Sequence, residues 1–170
     1  MKQIIETNRY ILREFEINDS ENFFYLKLDS EVLKYTGDLP FSSVLDANSF
    51  LINYSDYKRN GFGRWAVILK ETGLFIGWCG LKLNEENLVD IGFRFFKKEW
   101  GKGYATESAK AELDFGFNTL NLTEIIGRVF KANISSINVL EKLNMTYWEP
   151  DFFKNIETLV YYRIRKNDYI

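Results

Sequence analysis

The chain has 170 residues, a length that suits one domain, and its hydrophobic fraction of 46% is sufficient for a sizeable core. Its 22 Lys and Arg residues nearly balance 24 Asp and Glu residues, and no long basic run could track a phosphate backbone, so nucleic acid is not expected as a direct partner. The chain has no histidine, which excludes Ser-His-Asp triads, Cys-His dyads and His-ligated zinc sites, and no metal is expected.

The first part of the chain predicts one strand followed by two helices. Residues 9–15 form the strand, and residues 18–28 combine a helix-capping signal with a Glu three residues after Asn18. Residues 35–43 contain Gly and Pro and predict a loop. A second helix is expected over residues 44–59, and it should end near Gly61.

The middle of the chain predicts a three-stranded meander. Residues 65–69, 75–83 and 88–96 are rich in β-forming residues and are separated by short turns, which favours antiparallel pairing. After a glycine pair at 101 and 103 the apolar spacing becomes helical, with four residues on one face: Ala105, Ala109, Leu113 and Phe117. Sheet therefore gives way to helix at the glycine pair.

The last third predicts a strand at 124–131, a short helix at 135–143 and a closing strand at 158–165. The predicted order is then β, α, α, β, β, β, α, β, α, β. No internal repeat, low-complexity segment or linker divides the sequence. Residues 1–170 are therefore expected to form a single α/β domain.

The segment WGKGYAT, residues 100–106, is a candidate diphosphate site because it lies where a strand leads into a helix. Backbone N–H groups at the positive end of a helix can converge on an anion, and glycine lets the backbone approach closely. Lys102 adds a positive charge nearby. The segment is neither a Walker loop nor a Rossmann glycine pattern. Taken alone, it is equally well interpreted as a plain turn.

Four blocks of the sequence resemble the GNAT superfamily of N-acetyltransferases. Residues 100–105 are similar to its acetyl-CoA-binding pattern, Gln/Arg-x-x-Gly-x-Gly/Ala. Three further blocks resemble the branch that contains the ribosomal-protein N-terminal alanine acetyltransferases: TNRYILREFEINDSENFF, ETGLFIGWCGL and NISSINVLEKLNM. The resemblance implies an α/β GNAT fold, with a mixed and mostly antiparallel sheet, a splayed central strand pair and flanking helices.

The resemblance also implies an acetyl-CoA site. The splayed third meander strand would pair with the pantetheine arm through the backbone of three residues: Phe93, Arg94 and Phe95. The diphosphate would be held by backbone N–H groups of the glycine turn: Gly101, Lys102, Gly103, Tyr104, Ala105 and Thr106. Asn133 and Ser136 would lie near the pantetheine and the thioester. Trp100, Asn144 and Met145 depart from the family pattern.

The implied chemistry is direct attack of a neutral amine on the thioester, with the oxyanion held by a backbone N–H near Phe95. Many family members place an acidic Tyr where this chain has Leu140, so Ser136 is the nearest matching hydroxyl, with a helix cap as its alternative role. The base of some relatives corresponds to about Arg128, which cannot accept a proton. Asp90 is the candidate base; a solvated strand carboxylate is its alternative role, and a water chain could replace it.

The sparse catalytic groups bear on the amine acceptor. Deprotonating a lysine-like amine of pKa ~10.4 at pH 7 costs about 4.6 kcal/mol, whereas an α-amino group of pKa ~8 costs about 1.4 kcal/mol. An α-amine, such as a protein N-terminus, is therefore favoured, although the same branch resembles enzymes that act on small amines and antibiotics. A non-catalytic acyl-CoA-sensing or scaffold module and a nucleotide-binding regulatory domain are the alternatives. The chain is expected to be a monomer or a homodimer.

The single cysteine and the amino-terminal sequence bear on location. Cys79 cannot form an internal disulfide, and inside a predicted strand it is interpreted as a small buried hydrophobic residue. The sequence MKQIIETNRY lacks the apolar core of a signal peptide, and the longest apolar stretches are shorter than the roughly 18 residues of a membrane span. We therefore expect a cytoplasmic protein with no membrane partner.

Seven aromatic residues lie near predicted loops or strand ends: Phe41, Phe62, Trp65, Trp78, Trp148, Phe152 and Phe153. Large aromatic side chains most often belong to the core, because each buries a large apolar area. The alternative is that they line an acceptor cleft.

Overall fold

A computed structural model describes residues 2–149 and 158–169. The strands are β1 (Gln3–Glu6), β2 (Tyr10–Arg13), β3 (Arg64–Leu69), β4 (Phe75–Leu83), β5 (Val89–Phe95), β6 (Glu124–Phe130), β7 (Thr146–Trp148) and β8 (Leu159–Arg165). The helices are α1 (Ser20–Leu28), α2 (Ser30–Leu33), α3 (Val44–Ile52), α4 (Asp56–Asn60), α5 (Tyr104–Asn118) and α6 (Ile134–Lys142). Within those two ranges no helix is long and apolar enough to span a bilayer.

All eight strands form one mixed sheet in the order β1-β2-β3-β4-β5-β6-β8-β7. Every neighbouring pair is antiparallel except β5 and β6, which run parallel. These two strands are paired only where Asp90 faces Ile126, whereas β4 follows β5 from Val89 to Phe95. The predicted GNAT architecture, with its splayed central strand pair, is confirmed.

Successive side chains along each strand point to opposite faces of the sheet, and each face has its own hydrophobic core. On β3, Trp65 and Val67 pack with α5 on one face, while Ala66 and Ile68 pack with α1 and α3 on the other. This is the period of two expected for a sheet covered on both faces. Cys79 on β4 is fully buried, and burial raises the pKa of its thiol well above the usual range, so its interpretation as a buried hydrophobic residue is confirmed.

The prediction of one continuous helix over residues 44–59 is wrong, because this segment forms two helices, α3 and α4. Asn53 ends α3, and its side-chain amide donates to the carbonyl of Ser49 at 2.8 Å. The Tyr54 ring then turns inward and packs against Phe15, with 5.1 Å between ring centroids. The bonded Asn53 amide and the packed Tyr54 ring together stabilise the break. Neither contact can be recognised from the spacing of apolar residues along the sequence. The predicted end at Gly61 is confirmed.

Three short elements were missing from the predicted order: the edge strands β1 and β7, and the single turn α2. Strand β1 has four residues and pairs only with β2, and β7 has three and pairs only with β8. Such strands are formed by hydrogen bonding to a partner and carry too few residues to show a period. Helix α2 is capped by Asp29, whose side chain accepts the N–H of Glu31.

Glu112 is a fully buried carboxyl group on α5. Among the described residues no basic side chain forms an ion pair with it. Burial raises the pKa of Glu112 well above its ordinary value, and the indole N–H of Trp65 offsets only part of that rise. The folded protein therefore favours the neutral acid at this position.

We expect Glu112→Gln to stabilise the fold increasingly as the pH rises. In the unfolded chain this carboxyl group ionises near pH ~4.3, whereas the raised pKa in the folded state opposes ionisation, so the wild type loses stability above that pH. Gln has no such dependence. Urea unfolding at pH 5 and pH 8 should show a larger difference between variant and wild type at pH 8. A difference that is the same at both pH values, as expected for the control Glu71→Gln in an exposed turn, would contradict this account.

Candidate active site

The glycine turn connects β5 to α5 in a conformation that presents backbone N–H groups. Gly101 and Gly103 have φ of 75° and 78°, in the left-handed region that favours glycine, and Gly103 is the N-cap residue of α5. The helix bonding starts with the Glu107 N–H, which donates to the carbonyl of Gly103 at 3.1 Å. No described group accepts from the amides of residues 101–106. These donors lie at the positive end of a 15-residue helix, as an anion site requires.

Arg9, which precedes β2, connects the glycine turn to the sheet through hydrogen bonds. Its Nε donates to Glu107 Oε2 at 2.6 Å, its Nη1 donates to the carbonyl of Lys102 at 2.8 Å, and its guanidinium carbon lies 4.4 Å from the ring centroid of Tyr104. Lys102 itself pairs with Glu99 at 2.9 Å. Arg9 and Lys102 are thus bound to carboxylates, so at the turn itself the backbone amides are the donors free to bind an anion.

Trp100 has a structural role that explains an aromatic residue at the first position of the motif. Its indole N–H donates to the carbonyl of Phe95 at 2.9 Å, which ties the end of β5 to the start of the glycine turn. One acceptor site of the Phe95 carbonyl is therefore already used, and Phe95 itself is buried. The turn is held at a fixed position relative to the strand that precedes it.

The separation of β5 from β6 opens a cavity of about 700 Å³. It brings together residues of β5, β6 and α6 that include four of the predicted cofactor residues: Phe93, Arg94, Asn133 and Ser136. The glycine turn lies outside the lining of this cavity, beyond the end of β5. The fold therefore places the predicted pantetheine and diphosphate regions one after the other along the chain direction of β5.

Asn133 and Ser136 adopt different roles at the start of α6. Asn133 is the N-cap residue, and its Oδ1 accepts the backbone N–H of Ser136 at 3.2 Å. The alternative interpretation of Ser136 as the helix cap is therefore wrong, because Asn133 already occupies that position. The Ser136 hydroxyl makes no hydrogen bond within the described part of the chain, and the residue lines the cavity. Its hydroxyl is available to a bound molecule.

Asp90 lies at the point where β5 and β6 separate. It is buried, with 9% of its surface exposed, and its Oδ1 accepts the backbone N–H of Arg128 at 3.1 Å. Burial raises the pKa of Asp90 to about 6, against the opposing effect of the positive charges on Arg64, Arg128 and Lys82. The alternative interpretation as a solvated strand carboxylate is therefore wrong. Near neutral pH this group is ionised and can accept a proton.

Leu140 forms an apolar wall of the cavity beside Ser136. It is buried, and its Cδ1 would lie 2.8 Å from a Cβ atom at Gly127, so glycine at that position makes room for the leucine side chain. Arg128 is exposed and also lines the cavity. Neither residue supplies an acid or a base, in agreement with what their chemistry predicts. No metal-binding group of His, Cys, Asp or Glu occurs among residues 2–149 and 158–169.

The aromatic residues divide between the core and the site. Phe62 and Trp65 are buried in the core, as their interpretation predicts. Trp78 is buried but lines the cavity, and Phe41 lines a second cavity of about 560 Å³ that shares Trp78. Trp148 lies on β7, apart from both cavities. Phe152 and Phe153 lie outside the described residues.

Comparison with known proteins identifies the family. Residues 9–146 match the family model described as an acetyltransferase (GNAT) domain. The chain belongs to the GNAT family. It is 33% identical over 145 residues to the uncharacterized N-acetyltransferase p20 of Bacillus licheniformis, a match that covers 84% of this chain and 82% of that protein.

Solved structures place the GNAT chain in the same fold. A GNAT acetyltransferase from Bacillus anthracis superimposes with a TM-score of 0.80 at 31% identity, over 96% of this chain and 98% of the other. The spermidine N-acetyltransferase of Vibrio cholerae, solved with CoA and spermine, gives a TM-score of 0.79 at 20% identity, over 96% and 99% of the two chains. With relatives of this kind, the chain is an acetyl-CoA-dependent acyltransferase.

We expect Gly103→Glu to weaken acetyl-CoA binding by at least about tenfold, which corresponds to ~1.4 kcal/mol. The new carboxylate would stand at the start of α5 beside the amides expected to receive the diphosphate, and it would repel that anion. Isothermal titration calorimetry with acetyl-CoA measures the change.

Gly73→Glu is the matched control for this substitution. Gly73 also has a positive φ, of 69°, but lies in the turn between β3 and β4, and a Cβ there would meet nothing within 4 Å. The control carries the same charge and the same backbone strain, and we expect it to bind acetyl-CoA like the wild type. Equal affinity of the Gly103 and Gly73 variants would refute the diphosphate site.

Proposed function

We propose that this GNAT domain, residues 1–170, transfers an acetyl group from acetyl-CoA to an α-amine by direct attack on the thioester. The observation that carries the proposal is the placement of Asp90. It is a buried carboxyl group with a pKa of about 6 at the point where a cavity opens between β5 and β6. A base with that pKa is ionised at neutral pH and still accepts a proton when an ammonium group is nearby.

Acetyl-CoA would be held by two groups of backbone atoms. Beyond Asp90 the edge of β5 that faces β6 has no strand partner among residues 2–149 and 158–169, so its peptide groups at Phe93 and Arg94 can pair with the amides of a pantetheine arm. The Phe95 carbonyl keeps only part of its acceptor capacity, because Trp100 donates to it. The amides of residues 101–106 would receive the diphosphate, with Asn133 close to the arm.

The lower pKa of a peptide α-ammonium group favours an α-amine over a lysine-like amine as the proton donor to Asp90. Moving a proton from an α-ammonium group of pKa ~8 to a carboxylate of pKa about 6 costs about 2.7 kcal/mol. The same transfer from a lysine-like ammonium of pKa ~10.4 costs about 6 kcal/mol. The difference of about 3 kcal/mol is a factor of more than a hundred in the population of neutral amine. Asp90 is thus a sufficient base for α-amines.

The proposed reaction balances with these groups. Asp90 accepts one proton from the ammonium group, and the neutral nitrogen then forms a bond to the acetyl carbon while the carbon–sulfur bond breaks. A backbone N–H near Phe95 would stabilise the oxyanion, and the second proton from nitrogen ends on the CoA thiolate. Ser136 lines the cavity, its hydroxyl has no partner among the described residues, and it would donate a hydrogen bond to the leaving sulfur.

Two lines of similarity bear on the acceptor. Three of the four sequence blocks resemble the branch of ribosomal-protein N-terminal alanine acetyltransferases, which supports a protein N-terminus as one acceptor of the α-amine class. By contrast, the Vibrio cholerae enzyme that shares the fold is named for spermidine, a polyamine without an α-amine. We propose that the reaction takes place in the cytoplasm.

The experiment that tests the function is thiol release from acetyl-CoA. It supplies separately free amino acids, peptides that begin with Ala or Ser, polyamines and aminoglycosides, and we expect acceptor-dependent release that is fastest with α-amines. Tight binding of acetyl-CoA without release across the panel would support a non-catalytic sensing module instead.

The best α-amine of that panel then tests Asp90 through the pH dependence of kcat/KM. Asp90 takes a proton from the ammonium form of the amine, so wild-type kcat/KM should change little between pH 8 and pH 6 and fall about tenfold per pH unit below pH 6, where Asp90 becomes protonated. Asp90→Asn keeps an oxygen for the Arg128 N–H but cannot accept a proton, so it depends on neutral amine and its lower activity should fall about tenfold per pH unit from pH 8 downwards. An equal fall of the two proteins between pH 8 and pH 6 would remove Asp90 as the base.

A further inference from the structure

The cavity contains an arginine side chain that lacks a hydrogen-bond acceptor. Arg64 begins β3, and its guanidinium carbon lies 4.4 Å from the ring centroid of Trp78. None of its side-chain N–H groups donates to a described residue, and its Nε is completely shielded by neighbouring atoms. A guanidinium offers five donors and keeps its charge at any relevant pH. Arg64 is thus a half-buried cation with unused donors at a cavity wall.

The strand register explains how Arg64 reaches this position. Arg64 pairs with Gly80 on β4, and Gly80 pairs with Gly92 on β5, so one row across three strands has a side chain only at Arg64. Its Nη2 would lie only 3.1 Å from a Cβ atom at Gly92. Because Gly80 and Gly92 have no side chains, the surface of the sheet is open beside Arg64, and its guanidinium lies over β5 at Gly92.

The neighbouring rows place charged groups on either side of the guanidinium. Arg94 pairs with Trp78 on one side, and Asp90 pairs with Lys82 on the other. Gly92 lies two residues from Asp90, roughly 7 Å along the strand. The guanidinium of Arg64 and the carboxylate of Asp90 are therefore adjacent on one face of the sheet, at a separation that a small molecule can bridge.

No carboxylate among the described residues forms an ion pair or hydrogen bond with the Arg64 side chain, although the charge of Asp90 acts on it. Asp38 is 2.9 Å from Arg94 and 3.7 Å from Lys27, and Asp90 accepts the N–H of Arg128. The five residues that line both cavities are three cations, one anion and an aromatic ring: Arg64, Lys82, Arg94, Asp38 and Trp78. The junction of the two cavities therefore has an excess of positive charge and attracts an anionic group.

We propose that Arg64 binds a carboxylate of the acceptor, so that the acceptor is a zwitterion whose amine faces Asp90 and whose carboxylate faces Arg64. An α-amino acid, with both groups on one carbon, has this arrangement. A planar guanidinium with free donors matches a carboxylate through two parallel hydrogen bonds. The inference rests on the proposed acetylation of an α-amine and names its substrate class. A polyamine would instead bring a second positive charge to Arg64, which disfavours it.

The test compares free amino acids with their carboxamides as acceptors. The ammonium group of a carboxamide is more acidic than that of the free amino acid, so kcat/KM is compared per concentration of neutral amine. On that basis we expect L-alanine, L-methionine and L-phenylalanine to exceed the matching amides by at least about tenfold in the wild type, the effect of a hydrogen-bonded charge. In Arg64→Gln this ratio should fall to near one, because the amino acid loses its partner and the amide does not. Arg165→Gln, an exposed residue on β8 that pairs with Glu124, is the control and should keep the wild-type ratio.

A second variant tests the same contact without removing the arginine. Gly92→Ala places a methyl group within 3.1 Å of the present Nη2 position, so the guanidinium must shift. We expect the KM for amino acids to rise at least about fivefold while the KM for amides changes little, since a moved guanidinium weakens a contact worth about tenfold or more. Wild-type amides that react as well as the acids would overturn the inference while leaving acetyl transfer intact.

Two further arms separate the remaining outcomes. Peptides that begin with Asp or Asn carry no free α-carboxylate near the amine. If the Asp peptide reacts faster than the Asn peptide and free amino acids do not react, the carboxylate bound by Arg64 is the side chain of an acidic first residue and the amino-acid assignment is overturned. Calorimetry with N-acetyl-L-phenylalanine and its amide needs no turnover. Binding of the acid that is lost in Arg64→Gln supports the Arg64 site even when no acceptor is acetylated, whereas equal binding of acid and amide overturns it.

Discussion

The separation of β5 from β6 after a single paired position is the constraint on which the rest of the site depends. Because the two strands are parallel and paired only at Asp90 and Ile126, one edge of β5 has unpaired peptide groups inside the sheet. An unpaired edge costs free energy unless another extended group completes it. We propose that the amide-bearing pantetheine arm takes that place. The chain next forms the turn whose amides lie at the positive end of α5.

One face of the sheet supplies mainly the hydrophobic core, and the other face carries the polar residues of the candidate site. The face under α5 is apolar, and even its buried Glu112 favours the neutral form. The opposite face has polar groups where β3, β4 and β5 meet. Burial raises the pKa of Asp90 to about 6, and the Arg64 side chain has no acceptor within the described part of the chain. Alternation along a strand sends neighbouring residues to opposite faces, so a few residues supply both the core and the site.

Sequence alone predicted the elements that have a clear period or cap. The meander and the 15-residue helix after Gly103 were recovered because their patterns are long, whereas β1 and β7 were missed because three or four residues show no period. Asp90 and Ser136 became candidates through family resemblance. Arg9 and Arg64 were missed because their roles depend on contacts with distant segments, and no local pattern records which side chain lacks a partner.

Amide hydrogen exchange with and without acetyl-CoA tests the central claim, the binding of the cofactor to the unpaired edge of β5, most directly. It reports on individual backbone N–H groups and requires no substitution. The account predicts slower exchange on adding acetyl-CoA in the β5 residues beyond Asp90 and in residues 101–106, with little change in the edge strand β1. Unchanged exchange in β5 and in the glycine turn, at concentrations where acetyl-CoA is bound, would contradict it.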